Sequence, residues 1–393
     1  DSFAISFEKH DLVQRVDLLL DRSVKTDFIR DKFDLKDKSD WQLAKARSRL
    51  ERFANPYEYV IPTLVRPFDK RFCYLDIAFM DRPRPLIQSQ IANRINLSIL
   101  VSRQQNKLGF SHIFVSDVAP ESCAVSNLSR EGNYVYPLLR YESGGIDDIN
   151  HNIASSFLKS LGATTKLAFQ QLVTHPSKQL PLGTAPAKPE QQQLLSAKLH
   201  ERGDLTTTFG CRDVFDFMYA IPHSPVYRQR YAEFLKSDFP RIPLPRGKDI
   251  FRELVKLGKE LVDLHLLNEE HSKLAQPSIV FRGQGDNRLF KKAQIMWDNG
   301  KMPINATQWF EDVPEESVEF SIGGYQPLKK WLHDRAEKGG ANPAPGRVLS
   351  DEDILHYRRM VVAITETRRL MREIDIVIND HGGWPDAFVT ESR

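Results

Sequence analysis

Apolar and polar positions follow different periods in different parts of the chain. Residues 1–55 are densely charged, and their apolar positions recur at helical spacing, as at Val13, Val16 and Leu19, which predicts surface helices. From about residue 57 to 141, short apolar strings of strand length and β-favouring composition alternate with turn residues. We predict five strands there, at 57–64, 72–75, 97–102, 112–116 and 134–141. Five such segments imply a sheet.

The pattern weakens between residues 142 and 210. Residues 150–161 predict a helix, whereas 175–189 contain four prolines among small and polar residues, which is typical of a linker. We therefore expect the boundary between two lobes in this region.

The second half of the chain is mainly helical. Apolar residues at intervals of three and four predict helices at 213–219, 225–236, 248–273, 325–335 and 350–380. Ser350 is a good start for the last helix, because its hydroxyl can accept a backbone N–H, and the glycines at 382 and 383 end it. Strands are expected at 278–281, 294–297 and 318–322, near glycines that mark turns.

These elements predict an α+β fold in two lobes. The N-terminal lobe is rich in strands, and the C-terminal lobe consists of helices with a small antiparallel sheet. We divide the chain into a charged helical lead-in at 1–56, a first lobe at 57–145, a variable linker or insertion at 146–210, and a second lobe at 211–393 that ends in the long helix.

Composition limits the function without defining it. Hydrophobic residues make up 41% and charged residues 27%, which is ordinary for a globular protein, and the net charge is only +3. Cys73, Cys123 and Cys211 lie far apart, so neither a disulfide framework nor a paired-cysteine zinc site is expected, and the setting we predict is cytoplasmic. No apolar run approaches the roughly 20 residues that span a bilayer. The chain begins Asp1-Ser2-Phe3 without Met, and we expect it to be part of a longer protein.

The motifs of several enzyme classes are incomplete. The string NPYE at 55–58 lacks the second proline of the motif by which adenine methyltransferases hold their target amine, so we interpret it as a turn before a strand. The string GQG at 283–285 lacks P-loop spacing, and DLK at 34–36 lies in a run of charges rather than in a metal-binding set of acids. The histidines have no second ligand type at helical spacing. We predict no catalytic residue, no metal ligand and no cofactor within this chain.

Positive charge is concentrated in two segments. Residues 61–110 hold eight basic residues against three acidic ones, a net charge of +5, and residues 226–252 hold seven against three, a net charge of +4. Both are rich in arginine, which binds guanine edges and phosphate oxygens. From spacing alone, however, surface arginines and structural ion pairs, such as Asp69 with Lys70 and Arg71, explain these segments equally well.

Several longer strings resemble one family in the same order along the chain. They are RPFDKRFCY at 66–74, RPR at 82–84, FSHIFVSD at 110–117, YVYPL at 134–138, MYAIPHSPVYRQRYAEFLK at 218–236, DFPRIP at 238–243 and GGYQPLKKWL at 323–332. These strings are similar to the C-terminal specificity region of Type ISP restriction–modification enzymes. The resemblance covers roughly residues 57–390, whereas residues 142–210 match poorly.

The resemblance implies a bacterial, cytoplasmic enzyme in which a nuclease, an ATP-driven translocase and an adenine-N6 methyltransferase precede this region. S-adenosylmethionine, ATP and Mg would then belong to those upstream domains, to which residues 1–56 would connect. The two lobes would recognise a short asymmetric sequence in double-stranded DNA and place the target adenine, flipped from its stack, at the methyltransferase. We expect a monomer without a membrane partner.

From this resemblance and the charge pattern we predict two kinds of DNA contact. Bases would be read by Arg103, Gln104 and Gln105, because arginine and glutamine pair bidentately with guanine and adenine. The DNA backbone would be bound by six residues: Arg71, Arg82, Arg84, Arg228, Arg230 and Lys248.

Two other functions stay open at this stage. A docking platform for the methyltransferase, without DNA contact of its own, predicts basic residues paired in salt bridges and an exposed apolar patch at the N-terminal side of the chain. A stand-alone enzyme with an unrecognised site predicts a deep polar pocket with convergent acids and perturbed histidines.

Overall fold

The computed structural model describes residues 3–80, 85–92, 94–103, 109–126, 132–141, 149–170, 199, 201–285, 287–339 and 345–389. Its fold is α+β, as predicted. The helices are α1 Lys9–Leu20, α2 Thr26–Phe33, α3 Leu43–Leu50, α4 Pro85–Ile91, α5 Ser155–Thr165, α6 Cys211–Ala220, α7 Pro225–Arg230, α8 Ala232–Leu235, α9 Lys248–His265, α10 Ser272–Ala275, α11 Glu315–Val318, α12 Pro327–Arg335 and α13 Asp351–Asp380.

The strands are short and form several small sheets. They are β1 Ile5–Ser6, β2 Val60–Arg66, β3 Asp69–Tyr74, β4 Ser98–Val101, β5 Ile113–Ser116, β6 Ala119–Pro120, β7 Tyr134–Pro137, β8 Leu139–Tyr141, β9 Ile149–His151, β10 Ala168–Phe169, β11 Thr208–Phe209, β12 Val280–Gly283, β13 Met302–Pro303 and β14 Gln308–Glu311. A four-stranded sheet has the order β1-β3-β2-β6, and two three-stranded antiparallel sheets have the orders β5-β4-β7 and β12-β14-β13.

Two main hydrophobic cores hold these elements together. The smaller one packs α1 and α3 against β2 and β3, with Leu12, Val16 and Tyr74 in its centre. The larger one extends from Leu64 to Phe388 and contains residues of both predicted lobes. The predicted boundary at 146–210 therefore does not coincide with a division of this core.

Helices α6, α9 and α13 form the centre of the larger core. Gly258 of α9 lies so close to α6 that a Cβ atom there would come within 2.0 Å of the Asp216 carbonyl oxygen. Helix α13 begins as predicted at Ser350, whose hydroxyl accepts the Asp353 N–H at 3.1 Å. After its last residue, Gly382 and Gly383 adopt φ values of 106° and 75°, which end the helix.

Several predicted elements differ from the structure. Residues 294–297 and 318–322 are not strands: Gln294 ends a 3₁₀ turn that begins at Lys292, Val318 ends helix α11, and the strands of this region are β13 and β14. The predicted helix at 225–236 is divided into α7 and α8, and residues 150 and 151 of the predicted helix at 150–161 belong to β9. The predicted helix at 248–273 is interrupted at Leu267, whose φ of 55° is incompatible with a right-handed helix. The string at 55–58 is a turn before a strand, as predicted, since the Asn55 side chain caps a 3₁₀ turn at Pro56–Tyr59.

Candidate nucleic-acid interface

The two basic segments meet at Arg103, which follows β4. Its side chain is 46% exposed, and its guanidinium carbon lies 5.9 Å from the centre of the Phe239 ring. Among the described residues, the nearest carboxylate oxygen, on Asp238, is 3.9 Å from Nε. An ion pair of this length and exposure contributes little free energy, so the Arg103 charge remains available to a ligand.

Two tyrosines of β7 add exposed aromatic rings next to Phe239. Tyr134 and Tyr136 are 37% and 42% exposed, whereas Val135 between them is partly buried. The Phe239 ring is perpendicular to both tyrosine rings, with centroid distances of 4.9 Å and 5.9 Å. Burial, and then the neighbouring Tyr134, raise the pKa of Tyr136, so its hydroxyl stays protonated at neutral pH. We call Tyr134, Tyr136 and Phe239 the aromatic surface; Arg103 lies beside it.

Helix α7 starts the second basic segment and fixes its position. Ser224 caps the helix by accepting the Tyr227 N–H at 2.9 Å, and Pro225 fills the first helical position. The Tyr227 ring is buried, and its hydroxyl donates a hydrogen bond to the Arg241 carbonyl oxygen at 2.9 Å. The loop that carries Asp238 and Phe239 is thereby held against α7.

Arg228, which was predicted to contact the DNA backbone, is a first correction, because it is only partly exposed and is bound within the protein. Its Nε donates to the Pro222 carbonyl oxygen at 2.6 Å, and its guanidinium lies 5.8 Å from the centre of the Phe110 ring. No carboxylate of the described residues is within 4.0 Å. Burial lowers its pKa to about 10, so Arg228 stays charged at neutral pH.

A group of buried histidines surrounds Arg228. Burial, and then the charge of Arg228, lower the pKa of His112 to about 4 and that of His265 to about 3. His265 is held by the Tyr219 hydroxyl at 2.5 Å and by the Thr367 hydroxyl at 2.9 Å. Because its two ring nitrogens are both occupied in the core, we assign His265 a structural role.

Arg71 is a second correction, because the structure places it in a buried ion-pair network. Its side chain is 14% exposed, and its Nη2 lies 2.6 Å from Asp69 Oδ2 and 2.9 Å from Asp334 Oδ2. Arg335 binds the other oxygen of Asp69 at 3.0 Å. Two carboxylates neutralise Arg71, so it has no spare charge for a DNA phosphate.

The remaining predicted contacts divide into two groups. Arg230 and Lys248 are exposed, and neither has a carboxylate within 4.0 Å in the part of the chain that the structure describes. Arg82, Arg84, Gln104 and Gln105 lie outside the described residues.

Sequence reasoning missed four surface residues. Tyr134 and Tyr136 could have been found from the alternation Tyr-Val-Tyr, which places both rings on one side of a strand. No pattern in the sequence around Phe239 indicated that its ring would be part of this surface. Arg246, exposed and without a carboxylate within 4.0 Å in the described ranges, was counted in the second basic segment but not selected.

The described residues contain neither a metal site nor a membrane-spanning helix. No group of three or more His, Cys, Asp and Glu side chains there could hold a metal ion. In the same part of the chain, no helix is both long and apolar enough to cross a membrane.

The backbone amides of the glycines at 323 and 324 are not free to bind a phosphate, since they donate to the Ser111 and Val125 carbonyl oxygens at 2.8 Å and 3.2 Å.

An α+β domain with an exposed surface of arginine and aromatic side chains is typical of nucleic-acid-binding modules. The family model of the Type ISP C-terminal specificity domain matches residues 1–373, and the chain belongs to this family. No curated protein sequence matches the chain.

Solved structures share the fold at low identity. One is a nuclease-deletion mutant of the Type ISP restriction-modification enzyme LlaGI in complex with a DNA substrate mimic. It is 20% identical in sequence, with a TM-score of 0.61, and the match covers 96% of this chain and 32% of the LlaGI chain. The DrdV–DNA complex is 16% identical with a TM-score of 0.66 over 95% and 34%. The ATP-dependent Type ISP enzyme LlaBIII bound to DNA is 20% identical with a TM-score of 0.61 over 96% and 22%. The chain thus spans at most about a third of the length of these proteins.

Proposed function

We propose that this chain recognises a DNA target sequence for a restriction–modification enzyme. The observation that supports this most directly is the meeting of the two basic segments at Arg103, Asp238 and Phe239, on a surface with exposed aromatic rings. Membership of the Type ISP specificity family agrees with this, and the three similar structures named above contain DNA or a DNA substrate mimic.

The charge and exposure of each residue indicate which part of the DNA it would contact. Arg230, Arg246 and Lys248 are exposed without a nearby carboxylate in the described ranges, so they suit phosphates, which set the register of a protein on DNA. Arg103 projects beside the aromatic surface and suits a guanine edge or an adjacent phosphate. Gln104 and Gln105 follow it in the sequence and remain proposed base readers.

The chemistry would then reside elsewhere in the enzyme. We propose that the chain supplies specificity alone, positions the target adenine for an upstream N6-adenine methyltransferase, and directs a translocase and nuclease. S-adenosylmethionine, ATP and Mg would bind those upstream domains.

The first experiment is selection of bound duplexes from a randomised DNA library, followed by salt titration of the selected duplex. We expect an enriched asymmetric motif whose affinity falls steeply as salt rises. Arg230→Ala and Lys248→Ala should each reduce the salt slope by about 1, whereas Arg103→Ala should cost about 1–3 kcal/mol and relax the preference at one position. Arg22→Ala, an 83% exposed arginine among the N-terminal helices, is the matched control and should change neither.

One observation favours a second candidate function, a docking platform for the methyltransferase. Val226 and Ile376 are 43% and 57% exposed, and the carboxylate of Asp375, which precedes Ile376 in α13, accepts the Val226 N–H at 3.1 Å. An absence of binding even at about 50 mM salt, where phosphate contacts are strong, would favour this function. Salt-sensitive binding without an enriched motif would mean that the methyltransferase is needed to complete the DNA-binding groove.

A further inference from the structure

We propose that the aromatic surface binds a DNA base that has left its stack, with Arg103 beside it to contact a neighbouring phosphate. This inference rests on the proposed function, because it names the part of the DNA that this surface takes.

The exposure of the two tyrosines is the first argument. Tyr134 and Tyr136 are two residues apart on β7, so sheet geometry directs both rings to the same side. Together they present rings that are 37% and 42% exposed, although their neighbours across the sheet, Val101 and Ile99, are buried. Among the exposed large apolar side chains of the described residues, these two alone share one strand.

Phe239 holds this arrangement from the other basic segment. Its ring is perpendicular to both tyrosine rings, and it is itself only partly buried. Perpendicular packing of this kind is a favourable geometry for aromatic pairs and restricts their rotation. A base that stacks here meets rings that are already ordered and loses little additional entropy to them.

Charge identifies the occupant as a nucleotide rather than an apolar protein segment. Arg103 lies 5.9 Å from the Phe239 centroid, and Arg241, which is 81% exposed, lies 4.6 Å from the Phe234 centroid. Among the described residues, one carboxylate, that of Asp238, stands 3.9 Å from each guanidinium, so two positive charges face one negative charge. A base offers a flat π-face with a phosphate attached, which is the combination that stacking platforms with neighbouring cations bind.

The test compares two single strands of equal length that carry the same phosphates. One is an oligothymidine, and the other consists of abasic deoxyribose phosphates. We expect the chain to bind the oligothymidine about 5- to 100-fold more tightly, since base stacking on aromatic side chains has this magnitude. Tyr134→Leu and Tyr136→Leu should abolish the difference while leaving the abasic affinity unchanged.

Two further variants separate stacking from general damage to the protein. Tyr136→Phe keeps the ring and should keep the preference, and Tyr57→Leu, at a 39% exposed tyrosine outside this surface, should have no effect. A 2-aminopurine placed in the oligothymidine should lose fluorescence on binding to the unmodified chain but not to Tyr136→Leu.

The outcomes distinguish this inference from the function on which it rests. Equal affinity for both strands, or a preference that survives in both leucine variants, overturns base stacking but leaves duplex recognition through phosphates and groove edges intact. If the library selection yields a motif while neither single strand binds, base stacking also fails. If neither the single strands nor any duplex binds, the proposed function fails first.

Discussion

Replacing Asp69 by Asn tests how the N-terminal sheet is joined to the C-terminal helices. Asp69 begins β3, is 1% exposed, and accepts hydrogen bonds from Arg71 at 2.6 Å and from Arg335 of α12 at 3.0 Å. Asn is nearly the same size but carries no charge. The substitution leaves two guanidinium groups in the core with Asp334, and more distantly Asp353, as their counter-charges.

The cost of this substitution can be worked out in two ways. Removing one partner of a buried ion pair costs about 3–5 kcal/mol. Independently, the interactions with Arg335 and Arg71 outweigh burial and lower the pKa of Asp69 from 3.8 to about 2, which corresponds to about 2–3 kcal/mol. We therefore expect Asp69→Asn to lower the free energy of unfolding by about 2–5 kcal/mol at pH 7.

The sign of the pH dependence follows from the same pKa. The pKa is lower in the folded state than in the unfolded state, so the contribution of Asp69 is present in full above pH 3.8 and is lost as the pH falls towards about 2. The difference between the original chain and Asp69→Asn should therefore shrink on acidification through this range.

Urea unfolding followed by tryptophan fluorescence measures this quantity, and the buried Trp331 beneath Arg335 is a suitable reporter. Arg22→Ala is the control, because its ion pair with Glu51 is exposed and should contribute less than about 1 kcal/mol. A loss for Asp69→Asn no larger than that of the control would refute the reasoning, since it would mean that the network does not hold these parts together.

Three further predictions concern other parts of the fold. Gly323→Ala should lower the free energy of unfolding, measured with urea, by about 2–5 kcal/mol, because φ is +56° and the new Cβ would lie 2.0 Å from the Val125 carbonyl oxygen. Gly300→Ala is the control: its φ is +81° but the space around it is open, so it should cost only about 1–2 kcal/mol. Burial, and then Arg228, lower the pKa values of His112 and His265 to about 4 and about 3, so their contribution to stability is present in full above pH 6.5 and decreases as the pH falls from 6.5 towards these values. His112→Gln should therefore show a smaller decrease in stability between pH 7 and 4.5 than the original chain, and an identical decrease would contradict this. Ser350→Ala should cost about 1 kcal/mol in thermal or urea unfolding, because the cap of α13 is lost, whereas Ser155→Ala, at a helix start without a side-chain cap, should be close to neutral.

Local signals in the sequence were sufficient for the longest helix, α13. Ser350 and the glycines at 382 and 383 determine the ends of α13 through caps that involve only neighbouring residues, and both ends were predicted. Short apolar runs did not suffice, because strands and helices cannot be distinguished over four or five residues. Val318 lies in such a run, but it is buried in helix α11, whose Ser317 hydroxyl is 2.9 Å from that of Thr365 on α13.

Strand β14 shows a second reason for failure. Its buried positions are Gln308 and Phe310, so one inward-facing residue is polar and the apolar alternation is broken. Gln308 is accommodated because its side chain donates to the Gly285 carbonyl oxygen at 2.5 Å and accepts from Asn305 at 2.8 Å. These partners lie outside the strand, so the alternation pattern of the strand itself could not predict them.

The candidate interface depended on the same kind of distant contact. Arg71 and Arg230 both lie in basic strings and were given the same role, but Arg71 is neutralised in part by Asp334, which is 263 positions further along the chain, whereas Arg230 is exposed without such a partner in the described residues. Arg103 became part of an interface through Phe239 and Asp238, which belong to the other basic segment. Sequence therefore indicates which residue types could bind DNA, but the charge that an arginine has left for a phosphate is decided by the carboxylates that folding brings within about 4 Å. For this reason Arg230, Lys248 and Arg103, rather than Arg71, are the variants whose DNA affinity decides the proposed function.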